Sequence, residues 1–149
     1  MHPIVKNIIG FMAGLIIGAI LNGLTIKFLS PLMGVPEGVN PNDVESIKAN
    51  MHLYEMRHFV APFAAHAIGS LSGGYVCSMI AAKYQLGLSL GIALLFLFGG
   101  VAMVVMLPSP MWFNITDLVL AYFPMAYLGW VLAGKKRWVA PVRVHEDLL

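Results

Sequence analysis

The sequence predicts an all-α membrane protein: a four-transmembrane-helix bundle with a long exterior loop and a short interfacial helix between its first and second helices. Three observations carry that expectation. The chain of 149 residues is 59% hydrophobic and 11% charged, about half the charge of an ordinary soluble domain. Its apolar residues gather in blocks long enough to cross a bilayer. Its cations sit at the ends of those blocks rather than along a face, and the net charge is only +2, which argues against a nucleic-acid partner. One domain is expected over residues 1–149.

The first span is placed at about residues 8–29. A basic flank, Lys6, precedes it, and the apolar run outlasts the core of a secretory signal peptide. Gly10, Gly14 and Gly18 recur every four residues, and Asn22 continues the same face, so a second helix can approach closely there. Pro31, Gly34, Pro36, Gly38 and Pro41 then predict a loop of about 20 residues. Asn42 or Asp43 is suited to cap a surface helix that leads into the second span.

The second span is placed at about residues 59–82. If the surface helix runs into it unbroken, Pro62 leaves the carbonyl of His58 without a donor and a kink follows. Gly69 and Gly73 form a GxxxG pair. After a short turn at Lys83-Tyr84-Gln85 comes the third span, residues 86–107, which holds no charged residue. The fourth is placed at residues 115–133, with Asp117 near its start and Pro124 near its middle. Residues 135–149 form a polar tail whose Lys135-Lys136-Arg137-Trp138 run suits a membrane interface.

Four spans put both termini on one side. Lys6, Lys83, Lys135, Lys136, Arg137 and Arg143 then share that side, against Lys27, Lys48 and Arg57 on the other. By the positive-inside rule both termini are cytoplasmic and the long loop faces the exterior.

The stretch PEGVNPNDVESIKANMHLYEMRHFVAPFAAHAIGSLSGG, continued by MLPSPMWFNITDLVLAYFPMAYLG, resembles a family of small bacterial four-helix inner-membrane proteins. The resemblance implies a compact multi-pass protein of the bacterial cytoplasmic membrane. It implies no reaction, since no activity is established for that family.

Candidate chemistry gathers between Met51 and Gln85. On a continuous helix His52, Glu55, His58, Pro62, His66 and Ser70 share one broad face. A lipid-facing histidine is costly, so that face should turn inward. His66, Asn22 and Asp117 are then expected to meet in the outer half of the bundle, beneath the loop. Each also has a structural reading: His66 and Asn22 as hydrogen-bonding glue between helices, and Asp117, three residues after Asn114, as a helix-capping acid.

Glu55 and His58 are spaced as in di-iron carboxylate bundles, but the chain offers one such pair where those bundles need two. A divalent metal held by His52, Glu55 and His58 is easier to build, although the spacing spreads the two histidines about 120° apart on a helix. Methionines near the loops suit copper, and more often simply fill apolar space. No cofactor is predicted. Cys77 is single and reads as a packing residue, and Ser70 and Ser72 lack an evident acid. P-loop, Rossmann, G-x-S-x-G and HExxH motifs are absent from the sequence.

Three functions follow. The first is a non-enzymatic membrane component that self-associates or docks on a larger membrane complex through its glycine stripes. The second is a small oligomeric transporter or channel with an outward-facing pocket around His66. The third is a metal-dependent membrane enzyme using His52, Glu55 and His58.

Overall fold

The computed structural model describes residues 1–134, and these are all helix, turn and loop. The tail expected over residues 135–149 lies outside the described residues. The helices are α1 (Pro3–Met33), α2 (Val44–Ala49), α3 (Val60–Ile80), α4 (Gln85–Met106), α5 (Met111–Leu120) and α6 (Phe123–Leu132). Three stretches are long and apolar enough to cross a membrane: α1, α4, and α5 with α6 taken together over Met111–Leu132. Large apolar side chains such as Ile8, Met12, Ile16 and Ile20 on α1 and Phe98 on α4 are exposed on the outside of the bundle.

Helix α1 is longer than expected at both ends. The His2 ring accepts a hydrogen bond from the amide of Ile4 (3.4 Å), and Pro3, with its φ already set for a helix, begins the first turn. At the other end Pro31 does not stop the helix. Its missing donor costs one backbone bond, yet the chain winds on to Met33 and turns out only at Gly34, where φ is +79°.

Helix α3 is the centre of the molecule. Its buried residues are all small: Ala61, Ala65, Ala67, Gly69, Ser70, Gly73, Gly74, Cys77 and Ser78. They lie around the helix rather than on one stripe, because α1, α4 and α6 all pack against it. Antiparallel to it, α1 crosses at backbone contact distance. A methyl group added at Gly14 would sit 2.5 Å from the carbonyl oxygen of Gly73, and one at Gly18 would sit 2.7 Å from that of Gly69. On the opposite side Gly74 meets the backbone of Ala126, and Gly129 meets that of Leu71 and Tyr75. The glycine stripes are therefore spent within the chain, and they no longer argue for self-association.

Two side-chain networks fix the remaining contacts. Ser89 donates to the carbonyl of Gly74 (3.0 Å) or of Gln85 (2.8 Å) and pairs with Ser78 (2.9 Å), tying α4 to α3. Asn7 on α1 accepts from the amides of Ala82 and Lys83 (2.9 and 3.1 Å), closing the α3–α4 turn, where Tyr84 takes a left-handed conformation at φ +57°.

The surface helix does not run unbroken into the second span. Asp43 caps α2 through the amide of Glu45 (3.1 Å), but α2 ends after six residues. A 3-10 turn (Met51–Leu53), extended backbone at Tyr54 and Glu55, and a second 3-10 turn (Met56–Phe59) follow. Pro62 consequently falls in the first turn of α3, where its missing amide proton has no helical partner to lose, and the condition for a kink is not met. A break occurs instead in the fourth apolar stretch. Pro124 cannot donate to the carbonyl of Leu120, and the chain turns at Ala121 and Tyr122 between α5 and α6.

Residues 34–59 fold over the end of the bundle. Asn40 accepts from Asn42 through its side chain (3.1 Å) and donates its amide to Ser46 (3.0 Å), which keeps the segment compact. Met51 and Phe59 pack with Phe113 of α5 in a small apolar core that pins this lid.

Candidate functional site

His66 lies in the second turn of α3, and Asp117 in the middle of α5. Phe113 and Asp117, four residues apart, form the buried face of α5, so the carboxylate is carried inward with its apolar neighbour. Helix α5 begins at Met111, after Pro110, which removes the reading of Asp117 as a capping acid. Asp117 is only 2% exposed. His66 Nδ1 lies 2.9 Å from both carboxylate oxygens, and the Tyr122 hydroxyl donates to Oδ2 at 3.2 Å. The His66 and Tyr122 rings stack at 5.4 Å. With Nδ1–H donating to Asp117, the imidazole Nε2 remains the free ring position. A buried acid held by two donors from two other places in the chain is well satisfied, as a group in a low-dielectric interior must be.

Above this cluster is a cavity of about 430 Å³. Asn22, Ile26 and Ser30 of α1 line one side, Met103 and Leu107 of α4 another, and Phe113 and Asn114 of α5 a third. The lid contributes Ile47, Met51, Tyr54 and His58, and His66 and Asp117 also line it. The structure thus brings Asn22, His66 and Asp117 to one cavity beneath the loop. Only His66 and Asp117 are directly hydrogen-bonded; Asn22 is seated against Gly69, where its side chain leaves no space for a methyl group.

His52, Glu55 and His58 do not come together. The extended backbone at Tyr54 and Glu55 destroys the common helical face on which that metal site depended. His52 is exposed, and Glu55 pairs with Arg57 at the surface (3.0 Å). Among the described residues no group of three or more His, Cys, Asp or Glu side chains is placed to hold a metal.

His58 behaves differently from His52 and Glu55. It is nine-tenths buried, although the continuous helix that was to turn it inward is not formed. Its Nδ1 accepts the amide of Glu55 at 2.8 Å, and its ring meets that of Tyr54 edge-on at 5.4 Å. Since Nδ1 acts as acceptor, the ring proton of neutral His58 resides on Nε2. Among the described residues that buried Nε2–H has no hydrogen-bond partner. The same tautomer gives Nε2 no lone pair for a metal.

Asn114 is a counterpart on the facing wall. Its side-chain NH2 donates to the carbonyl of Ser109 (3.2 Å), which fixes the amide orientation and leaves Oδ1 buried and unpartnered. No family model, curated protein or solved structure matches the chain. The functional reading rests on this geometry.

Sequence reasoning did not find the roles of Tyr122, Asn114 and Tyr54. Tyr122 could have been suspected from its position two residues before Pro124, where a helix break lets a side chain reach back to Asp117. Tyr54 and Asn114 carry no such signal.

Proposed function

We propose that this chain is a four-helix integral membrane protein that binds a small molecule in the cavity beneath its loop. The observation that carries the proposal is the convergence of His66, Asp117 and Asn22, from three separate helices, on one largely apolar cavity. Small-molecule sites have this character: an apolar concavity of a few hundred cubic ångströms with a few placed polar groups. In this reading α3, 21 residues long, is the fourth span, buried among helices more apolar than itself. The distribution of Lys and Arg supports cytoplasmic termini and an exterior pocket, and the family resemblance supports a bacterial inner membrane.

Binding is favoured over conduction. Towards the opposite end of the bundle, a methyl group at Gly10 would lie 2.9 Å from the backbone nitrogen of Ala81, so α1 and the end of α3 leave no passage between them there.

Filling the cavity tests this. Val104 lines it, and Val104→Trp should occupy the space while circular dichroism shows the helices retained. Wild type in detergent should gain thermal stability from members of a panel of neutral small molecules, and the variant from none. Equal stabilisation of both proteins would overturn the proposal.

A further inference from the structure

The exposed side chains Val60, Ile68, Tyr75 and Met79 mark the face that α3 turns away from the bundle. At about 100° per residue, His66 lies on the opposite side of the helix. Its side chain is nevertheless 19% exposed, and it lines the cavity beneath the loop, so that exposure is to the cavity. The two ring nitrogens differ accordingly. Nδ1 is engaged by Asp117, 2.9 Å from both carboxylate oxygens. Nε2 has no hydrogen-bond partner among the described residues, yet it is not one of the unpartnered atoms sealed from solvent, which are His58 Nε2, Ser70 Oγ and Asn114 Oδ1. Nε2 of His66 is thus both unpartnered and open to a molecule in the cavity.

We propose that the ligand of this cavity is an uncharged amphiphile with a phenolic hydroxyl, whose proton is donated to His66 Nε2. The inference rests on the binding function proposed above and names its ligand class. Asp117 already accepts from the Tyr122 hydroxyl at 3.2 Å, so its carboxylate acts as an acceptor towards His66 as well and takes the Nδ1 proton. In the neutral ring Nε2 is then a lone pair, on an imidazole that a buried carboxylate orients and polarises. A lone pair facing a largely apolar cavity selects a donor, and an ether or ketone leaves it unpaired. Among uncharged groups a phenol is a stronger donor than an aliphatic alcohol, and its ring meets aromatic walls, since Tyr54, Phe59 and Phe113 line the same cavity. Charged heads are disfavoured. Neither Lys nor Arg lines the cavity, so an anion would sit near Asp117 without a counter-charge. An ammonium would bring three protons, of which Nε2 accepts one, into a largely apolar space.

The test uses the full-length protein in micelles in mildly alkaline buffer, its histidines ¹⁵N-labelled and its methionine methyl groups ¹³C-labelled. Met51 and Met103 line the cavity and report occupancy whatever the ligand's head. Without ligand, His66 Nε2 should resonate as an unprotonated ring nitrogen; a protonated Nε2 overturns the proposal. Four probes of similar shape are titrated: 4-pentylphenol, 4-pentylanisole, sodium 4-pentylbenzoate and 4-pentylbenzylammonium chloride. 4-Pentylphenol is expected to shift the methyl groups and His66 Nε2 saturably, and to bind about fivefold more tightly than 4-pentylanisole, the worth of one hydrogen bond. Asp117→Asn keeps an oxygen for Tyr122 and turns an NH2 towards Nδ1, which moves the ring proton to Nε2, so the preference for the phenol should disappear. A preference that persists in that variant overturns the assignment of Nε2 as acceptor. Equal binding of phenol and anisole, or tighter binding of either charged probe, overturns the ligand class and leaves the binding function standing. If no probe moves the methyl groups, the binding function falls and the ligand class with it. The wild-type titrations decide among these results even if Asp117→Asn does not fold.

Discussion

Asp117→Ala is the most informative single change in the molecule. It removes the acceptor of two hydrogen bonds, from His66 Nδ1 at 2.9 Å and from the Tyr122 hydroxyl at 3.2 Å. The two donors are left in different situations. The His66 side chain is 19% exposed and lines the cavity, where water can replace the lost carboxylate. Tyr122 is 1% exposed and has no such recourse. An orphaned buried hydroxyl costs about 1–3 kcal/mol, and breaking a buried acid–histidine pair brings the whole change to about 3–5 kcal/mol. Removing the hydroxyl as well should recover part of that loss. Tyr122→Phe alone should cost about 1 kcal/mol, yet Asp117→Ala/Tyr122→Phe should be more stable than Asp117→Ala by about 1–3 kcal/mol. Equilibrium unfolding in mixed micelles, followed by far-ultraviolet circular dichroism, gives all four corners of the cycle. If the double variant is no more stable than Asp117→Ala, the two side chains are not coupled, and the account of Tyr122 as a member of this cluster is wrong.

Other consequences are as direct. Gly14→Ala should destabilise by about 1–3 kcal/mol or more, because its methyl group meets backbone oxygen that cannot move aside; Gly23→Ala, with nothing within 4 Å of the new methyl, should be neutral or stabilising by about 0.5–1 kcal/mol, and the same unfolding measurement separates them. Asn7→Ala should cost about 1 kcal/mol and accelerate amide exchange at Ala82 and Lys83, whose hydrogen bonds it removes; unchanged exchange would contradict that turn geometry. Burial raises the phenol of Tyr54 above its ordinary value. The unfolded lid therefore ionises first: the stability from Tyr54 is complete below about pH 10 and is lost as pH rises through the folded value. Proteolytic sensitivity of residues 34–59 should increase over that alkaline range in wild type, and Tyr54→Phe should abolish the contribution.

What could be read in the sequence follows from the range of each interaction. The helices are legible because hydrophobic blocks and helix-ending residues act locally, and close helix approach at Gly14 and Gly18 and at Gly69 and Gly73 is legible because only small residues let two backbones touch, although which stripe meets which is not. Whether such a stripe faces another copy or the chain itself is a tertiary question, and here α3 and α6 answer it. Pro31 and Pro124 show the limit of local rules: one is absorbed in a last turn and the other breaks its helix, although both remove one donor. Asp117 was placed near His66 by depth alone, which succeeded because both lie inside regular helices. His52, Glu55 and His58 are grouped instead by the periodicity of one continuous helix, and that fails, because two extended residues suffice to rotate everything before them.

The crowding of α3 by small residues bears on how the chain is made. Alone, α3 is less suited to lipid than its neighbours: it carries His66, Ser70 and Ser78, and the stretches apolar enough to cross a membrane are α1, α4 and Met111–Leu132. During synthesis α1 emerges first and α4 follows directly after α3. Helix α1 presents Gly10, Gly14 and Gly18 as a ready surface, and α4 brings Ser89 to meet Ser78 and the carbonyl of Gly74. On the proposed four-span reading, the helix that holds His66 enters the bilayer as the middle member of a group, and the order of the elements along the chain is then itself part of how the pocket is assembled.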